Sequence, residues 1–300
     1  MSGWATGTGF RSTGSWIACL AIIGALAACS GGEDPLAGAG TLDRAKQTGK
    51  IRIGYANEAP YAYRDIVSGE LTGEAPTIAR VILADMGITE VEGVLTEFGA
   101  LIPGLKAKRF DIIAAGMYVL PRRCQEITFS NPTYSVGEAF IVRRGNPKEL
   151  HRYEDVAKHP DATLGVVAGA VEMEYAQRAG IPKARVMLFP DAAGALEAVH
   201  AGRLDAYGGT RLTINHLFGR ARSERIERAQ PFADPVIDGK TARGYGAFGF
   251  RKDDADLVAA FNTRLARFIG TEQHSKLVQP FGFTAEELPG GTTADELCRG

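Results

Sequence analysis

Apolar and polar positions along the first part of the chain predict strands and helices in turn. Residues 51–55 alternate with a period of two, as a strand does, and the apolar positions of 75–86 recur at helical spacing up to a closing glycine. A second strand is predicted at 91–95, a short helix at 100–106 and a buried strand at 111–114. This βαβαβ order predicts an α/β fold with a mostly parallel sheet covered by helices.

The same succession of elements returns further along the chain. Its alternating strands and helices are predicted at 163–167, 171–179, 186–188, 192–201 and 205–207. Two short segments of this repeat also resemble each other. Residues 105–111 and 199–205 each contain the end of a helix, a tight turn, and then an apolar residue followed by aspartate at the start of a strand. Two similar α/β lobes are therefore expected, rather than one large sheet.

Two extended segments are expected to connect the lobes. Residues 135–142 and 243–250 are rich in apolar residues and glycine, and we interpret both as strands that cross between lobes. The lobe boundaries that follow are 43–138 plus 245–300 for lobe one and 139–244 for lobe two. Two lobes joined by two crossovers form a hinge around a cleft, which is a common device for closing on a ligand.

The N-terminus has the pattern of a lipoprotein signal peptide. Residues 1–28 carry one charged side chain, Arg11, and an apolar run that is shorter than the roughly 20 residues a bilayer span needs. The run ends in Leu-Ala-Ala before Cys29, which resembles a bacterial lipobox and makes Cys29 the lipidation candidate. A plain secretory signal with an incidental cysteine is the alternative. Residues 29–42 are then predicted to be a flexible tether, and the mature protein is expected outside the cytoplasmic membrane, held by lipid.

Composition removes several function classes. Lys and Arg number 34 and Asp and Glu 35, so the formal net charge is −1 and the basic surplus of nucleic-acid binders is missing. With 45% hydrophobic residues, the chain is also unlike acidic disordered proteins. A globular protein that binds something other than nucleic acid is expected.

Cysteine usage suggests one disulfide. Of four cysteines, Cys19 would leave with the signal peptide and Cys29 would be lipidated, which leaves Cys124 and Cys298. Disulfides persist outside the cytoplasm, so we expect a Cys124–Cys298 bridge that returns the C-terminus to lobe one. Two separate thiols are the alternative.

Several spaced blocks of the chain resemble the solute-binding proteins of ABC importers, in the polar amino-acid subfamily, family 3. The blocks are the loop 57–61, the segment 104–111, the block 116–123 and the closing Pro-Phe-Gly-Phe at 280–283. Within that subfamily they are most similar to ectoine- and hydroxyectoine-binding proteins, which share Asn-Glu-x-Pro-aromatic, Glu-Phe-Gly-Ala and Pro-x-Arg-Cys. The resemblance spans Leu42 to Cys298. It implies a periplasmic-binding-protein-like type II fold, a small zwitterionic ligand and membrane permease subunits as partners.

The resemblance also implies a set of ligand-binding residues. Ectoine is a cyclic zwitterion with a delocalised amidinium and a carboxylate, so a binder needs aromatic faces, a guanidinium and an acceptor for ring N–H groups. The matching positions are Tyr61, Phe98 and Tyr118 for an aromatic cage, Arg123 for the carboxylate and Glu58 for the ring N–H groups.

The second lobe offers fewer candidates. Gly169 and Val171 precede a predicted helix, whose free N–H groups could hold a carboxylate. Weaker candidates for closing the cleft are Gly208, Gly209, Thr210 and Asn215. The chain departs from its resemblance at two positions: Val171 stands where the relatives carry threonine, and Tyr61 stands where they carry phenylalanine.

Three alternatives remain at this stage. An amino-acid binder of the same family would place an aspartate in the second lobe, where this chain has Gly208-Gly209-Thr210. A dehydratase-like enzyme is disfavoured, because none of the five histidines falls in a predicted cleft loop and no Ser/His/Asp order or metal-ligand spacing occurs. A sensor protein of the same fold is the third alternative, and it would bind its ligand in the same way but act on a receptor instead of a permease. We therefore expect a monomeric binding protein that is no enzyme and has no cofactor, metal or nucleic-acid partner.

Overall fold

The computed structural model describes residues 39–300, which pack as one unit. The predicted signal peptide (1–28), Cys29 and the tether as far as residue 38 lie outside the described residues. The end of the predicted tether needs a correction, because Thr41 and Leu42 are buried and belong to the first helix. None of the helices within 39–300 combines the length and the apolar character that crossing a bilayer requires.

Helices of four to fourteen residues cover both halves of the described chain. They are α1 (Thr41–Thr48), α2 (Glu74–Ala84), α3 (Leu101–Lys106), α4 (Pro121–Cys124), α5 (Tyr153–Lys158), α6 (Glu172–Arg178), α7 (Ala192–His200), α8 (Arg211–Ala221), α9 (Ala255–Phe268), α10 (Glu272–Val278) and α11 (Ala294–Arg299). Four 3-10 turns add to them, at Phe98–Ala100, Lys183–Arg185, Gln279–Phe281 and Ala285–Glu287.

Strands alternate with these helices along most of the described chain. They are β1 (Lys50–Tyr55), β2 (Tyr63–Arg64), β3 (Leu71–Thr72), β4 (Glu90–Leu95), β5 (Ile112–Tyr118), β6 (Thr128–Phe129), β7 (Tyr134–Val136), β8 (Glu138–Arg143), β9 (Leu164–Val167), β10 (Val186–Phe189), β11 (Ala206–Thr210), β12 (Ile226–Arg228), β13 (Val236–Ile237), β14 (Lys240–Thr241) and β15 (Gly244–Phe250).

Two separate sheets confirm the expected α/β class with two lobes. The first sheet has the order β4-β1-β5-β15-β6, with β7 also on β15, and its β1 is parallel to both β4 and β5. The second has the order β10-β9-β11-β8-β12, in which β9 is parallel to β10 and β11. The antiparallel strands β15, β8 and β12 complete the two sheets.

One predicted crossover is observed and the other is displaced. The segment 135–142 does leave the first sheet as β7 and enter the second as β8, with Gly137 between them. The segment 243–250 does not cross, because within residues 39–300 β15 pairs only with β5, β6 and β7 of the first sheet. The return connection therefore lies upstream, between β12 and β15, where it includes the β13–β14 hairpin. The lobe boundaries at 138/139 and 244/245 stay a prediction.

The two similar segments 105–111 and 199–205 each end in an aspartate that has a structural role. Asp111 precedes β5 and accepts from Arg44 (Nη2–Oδ1, 2.8 Å) and from Arg251 (Nη2–Oδ1, 3.3 Å). Asp205 precedes β11 and accepts from Arg143 (Nη2–Oδ1, 2.7 Å). Both carboxylates bind basic side chains of neighbouring segments at the start of a strand. The similarity of the two segments therefore reflects the fold and not the function.

A buried carboxyl group at the start of α2 destabilises the folded state. Glu74 is 1% exposed, and neither of its carboxylate oxygens has a hydrogen-bond partner among residues 39–300. Its place in the first helical turn favours the charged form by about 0.3–1 kcal/mol. Burial outweighs this and raises the pKa of Glu74 to about 7.

Stability should therefore fall as pH rises, and Glu74→Gln should remove part of that slope. The carboxyl is protonated and harmless in the folded state at pH 5. Above pH 7 the folded protein must either keep the Glu74 carboxyl protonated or bury its negative charge. Either way the free energy of unfolding is lower by about 3 kcal/mol. Denaturant unfolding of the ligand-free protein at pH 5.5 and pH 8.5 measures this. Glu224→Gln, at an exposed loop position, is the control; equal slopes for the two variants would contradict the expectation.

Candidate functional site

The candidate side chains lie where parallel strands end and the chain turns toward the opposite lobe. Glu58 and Tyr61 follow β1, Phe98 follows β4 in a 3-10 turn, Tyr118 ends β5, and Arg123 lies in α4 directly after it. The carboxyl ends of parallel strands meet at one edge of a sheet, which is where α/β proteins bind ligands. The strand order alone thus brings these five residues together.

These side chains line one cavity that both lobes form. It contains about 390 Å³ of space free of atoms, part of it open to solvent, which suits a small molecule. The residues along its wall are Glu58, Tyr61, Phe98, Ala115, Gly116, Tyr118, Arg123, Val167, Ala170, Val171, Glu172, Tyr207 and Thr210. Six of the eight ligand-binding candidates from the sequence are among them, as is Thr210, whereas Gly169, Gly208, Gly209 and Asn215 are not.

The guanidinium of Arg123 is held at the junction of the two lobes. It is 3% exposed and donates to the backbone carbonyl of Tyr118 (Nη1–O, 2.9 Å) and, across the cleft, to that of Gly169 (Nη2–O, 2.9 Å). Its Cζ lies 5.5 Å from the ring centroid of Phe98. Burial lowers the pKa of Arg123 to about 10, which leaves it charged at neutral pH. Among the described residues these two carbonyls are its hydrogen-bond acceptors, so three of its five N–H donors remain available to a ligand.

Aromatic rings form the wall of the cavity on the first-lobe side. Tyr61 stacks on Tyr134 with 5.1 Å between ring centroids, and Tyr134 meets Tyr118 edge-on at 6.5 Å. Gly116 has φ +67°, and a Cβ on it would lie 2.6 Å from the Tyr61 ring, so only glycine lets this ring approach β5. The Tyr118 hydroxyl is buried without a hydrogen-bond partner among the described residues, so it is available to a ligand.

A chain of hydroxyl groups connects the first lobe to the second. Tyr61 donates to Thr210 (Oη–Oγ1, 2.7 Å), Thr210 donates to Thr213 (3.2 Å), and Thr213 donates to Glu58 (Oγ1–Oε1, 2.8 Å). Thr210 also caps α8 by accepting from the backbone N–H of Thr213 (3.2 Å). Burial raises the pKa of Glu58, and the Thr213 bond opposes that rise. These bonds hold the cleft in a closed arrangement.

The start of α6 differs from its predicted role. Val171 lines the cavity as expected, but Gly169 faces Gly99 of the first lobe, where a Cβ on Gly169 would meet the Gly99 Cα at 2.6 Å. The helix start also carries its own acid, Glu172, which is buried and lies on the cavity wall. A ligand carboxylate would be repelled there. The expected anion site at the helix N-terminus is therefore unsuited to an anion.

Asn215 was wrongly predicted to close the cleft. It is exposed on α8 and accepts from Arg228 (Nη1–Oδ1, 2.6 Å). The buried face of that helix consists of Leu212, Thr213 and Ile214, so Asn215 falls on the opposite side. Thr213, two residues earlier, is the residue of this helix that reaches Glu58.

Sequence reasoning missed two polar residues of the cavity wall, as well as apolar ones such as Val167. Tyr207 lies in β11 and Glu172 opens α6. Tyr207 was identifiable, since it sits in a predicted strand of the second lobe near its carboxyl end. Glu172 gave no usable signal, because an acid in the first turn of a helix is usually a solvated residue and only packing of the opposite lobe buries it.

The predicted disulfide is present and lies beside the site. Cys124 and Cys298 are bonded (S–S 2.03 Å), which attaches α11 to α4. Cys124 directly follows Arg123, so the bridge supports the helix that carries the guanidinium.

Removing the Tyr61 hydroxyl should loosen the closed arrangement. Tyr61→Phe deletes one hydrogen bond between the lobes, worth about 1 kcal/mol, so the ratio of closed to open molecules should fall about fivefold. Distances between spin labels on the two lobes of the ligand-free protein measure that ratio. Tyr63→Phe, outside the cavity, is the control, and an identical distance distribution in both variants would contradict the role given to this hydroxyl.

Comparisons with known proteins agree with this geometry. The model for bacterial extracellular solute-binding proteins, family 3, matches residues 51–284. A probable amino-acid ABC transporter periplasmic-binding protein of Sinorhizobium fredii is 41% identical over 88% of this chain and 87% of its own length. The lysine/arginine/ornithine-binding periplasmic protein of Escherichia coli is 28% identical over 77% and 86%. The crystal structure of EhuB in complex with hydroxyectoine superposes with a TM-score of 0.78 at 35% identity, over 86% of this chain and 97% of EhuB.

Proposed function

Because this chain belongs to family 3 of the bacterial extracellular solute-binding proteins, as its match over residues 51–284 shows, we propose that it captures a small zwitterion of the ectoine class for an ABC importer. The observation that carries the proposal is one buried guanidinium, Arg123, in a cavity whose wall also holds four aromatic rings (Tyr61, Phe98, Tyr118 and Tyr207) and two carboxyls (Glu58 and Glu172). That set matches one carboxylate and one delocalised cation, with aromatic faces between them.

Each end of such a ligand has a complementary group in the cavity. Arg123 would bind its carboxylate through N–H groups that the two backbone carbonyls do not use. Tyr61, Phe98 and Tyr118 would enclose the amidinium, and Glu58 would accept from a ring N–H. Closing the cleft removes water, which strengthens these charged contacts. The hydroxyectoine complex of EhuB supports the same ligand class by similarity.

The second candidate ligand is an amino acid, as in amino-acid-binding proteins of the same family. One side chain of the cavity favours it. The sequence lacks an aspartate in Gly208-Gly209-Thr210, but Glu172 supplies a second-lobe carboxylate to the same cavity. Such a carboxylate could accept from an α-ammonium group. The similarity to amino-acid-binding proteins of Sinorhizobium fredii and Escherichia coli supports this candidate as well.

Calorimetric titration separates these candidates. The purified full-length chain is titrated with ectoine, hydroxyectoine, glycine betaine and polar amino acids. We expect ectoine or hydroxyectoine to bind more tightly than about 1 mM and glycine betaine at least tenfold more weakly, because its quaternary nitrogen has no N–H for Glu58. Amino acids binding with no response to ectoine would replace the first proposal by the second. A binding protein returns its ligand unchanged, so product formation would indicate an enzyme.

The anchoring and the partners of the protein belong to the same proposal. Cys29 would carry the lipid after cleavage of residues 1–28, with a monomeric two-lobed protein delivering its ligand to permease subunits at the membrane. Labelling cells with a fatty-acid analogue tests the anchor, since Cys29→Ala should abolish incorporation.

A further inference from the structure

Two buried acids of the second lobe approach each other at the inner wall of the cavity. Glu138 opens β8 and is 1% exposed; Glu172 opens α6 and is 5% exposed. The negative charge of Glu172 lies close enough to Glu138 to raise the pKa of the Glu138 carboxyl, after burial itself. Two ionised carboxylates repel each other and can only accept hydrogen bonds, so burying the two together is favoured when one of them carries a proton.

The surroundings contain little positive charge to hold both acids ionised. Glu172 faces Glu58, Arg123 and Glu138. Glu138 faces Glu172, Asp234, Glu58 and the Tyr153 hydroxyl (Oη–Oε2, 3.5 Å), and Arg211 is already bonded to Asp234 (Nη2–Oδ2, 3.1 Å). Tyr175 and Tyr207, which also face both acids, are neutral at physiological pH. Burial is the main cause that raises the pKa of both carboxyls, for Glu172 to about 7.

Unused acceptor atoms mark the pair as incomplete. Oε1 of Glu138 and Oε2 of Glu172 are buried, and neither has a hydrogen-bond partner within residues 39–300. A buried acceptor without a donor costs roughly 1–3 kcal/mol, so a donor arriving with the ligand would be favoured there. Glu172 lies on the cavity wall, whereas Glu138 does not. The carboxyl group of Glu172 is therefore the one that a ligand can contact.

We propose that Glu172, backed by Glu138, is a second-lobe subsite for the positive charge of the ligand, and that the pair holds one proton until a cationic N–H group replaces it. The proposal deepens the proposed function and rests on it. The ligand's carboxylate lies at Arg123, its cation lies between Glu58 and Glu172, and the displaced proton leaves to the solvent. Ligand capture is therefore coupled to proton release.

The subsite also restricts the class of ligand. A carboxylate subsite in each lobe requires a cation that donates N–H bonds in two directions, as an amidinium, a guanidinium or a primary ammonium does. Anionic acids without a cation would leave both subsites unpaired and are excluded.

Proton release is measured by titrating the full chain with ectoine, and separately with L-arginine, at pH 7 in phosphate and in Tris, whose ionisation enthalpies differ. We expect up to about one proton released per ligand bound, because the cation of the ligand replaces the one proton that the pair holds near this pH. Glu138→Gln should keep the affinity within about threefold but abolish the release, because its amide donates to Glu172 in place of the proton. Glu172→Gln should lose the release and at least tenfold in affinity.

A matched control lies on the same helix. Glu174 points away from the cavity to Arg178 (Oε1–Nε, 3.2 Å), so Glu174→Gln should leave both proton release and affinity unchanged. Ectoine binding with no dependence on buffer would overturn the subsite while leaving the proposed function in place. Release with L-arginine but no binding of ectoine would support the subsite and overturn the ectoine class. Binding of neither ligand would overturn both.

Discussion

Replacing Arg123 by alanine should weaken ectoine binding by about a thousandfold, or roughly 4 kcal/mol. The substitution would leave the ligand's carboxylate buried without a partner. It also deletes the bond to the Gly169 carbonyl, one of the contacts that close the cleft. Calorimetric titration of wild type and variant measures the change.

The neighbouring arginine provides a matched control. Arg122 has a side chain that is 52% exposed, and it reaches Glu174 at 3.6 Å outside the cavity. Arg122→Ala should change affinity by less than about threefold, as expected for a surface ion pair. Arg123→Lys keeps the charge but loses the planar fork, so it should retain only part of the affinity. Equal affinities for Arg123→Ala and Arg122→Ala would remove Arg123 from the site.

Deleting the disulfide should cost stability and leave affinity almost unchanged. Cys124 and Cys298 are 174 positions apart, and in the chain-entropy treatment a loop of that length stabilises the folded state by about 5 kcal/mol. Denaturant unfolding of the double variant Cys124→Ala/Cys298→Ala should show a loss of this order. The loss is expected because α11 then depends on weaker contacts such as the bond from the Ala294 N–H to Asn131 (Oδ1, 3.2 Å).

Reduction of the wild-type protein serves as the control for the double variant, since it breaks the same bond without changing the sequence. Ligand affinity should stay within about threefold, because neither cysteine lines the cavity. An unchanged free energy of unfolding after both treatments would contradict the stabilising role of the bridge. A large loss of affinity would show that it positions Arg123 directly.

The sequence was sufficient to locate the first-lobe half of the site. The resemblance to ectoine-binding proteins assigned Glu58, Tyr61 and Arg123 to the ligand, and the predicted order of strands and helices placed the loops that carry them at one edge of a parallel sheet. The two paired cysteines were also identifiable, because a signal-like N-terminus assigned the other two. The assignment of the cysteines depends on local pattern, which a single sequence carries, whereas the roles of the first-lobe residues came from similarity to a known family.

The second lobe was harder to predict, because its contributions depend on packing between lobes. Asn215 and Thr213 belong to the same helix, and only the orientation of α8 decides that Thr213 reaches Glu58 while Asn215 faces solvent. Glu138 and Glu172 look like ordinary charged residues until the opposite lobe covers them. The strand β15 was assigned to a crossover because its glycine-rich, aromatic pattern does not reveal which sheet it joins.

A crystal structure of the protein with ectoine tests the central claim most directly. We expect the ligand in the cavity between the lobes, with its carboxylate within hydrogen-bonding distance of the Arg123 guanidinium and its amidinium between Glu58 and Glu172. A ligand bound outside this cavity, or one whose carboxylate lies away from Arg123, would contradict the claim.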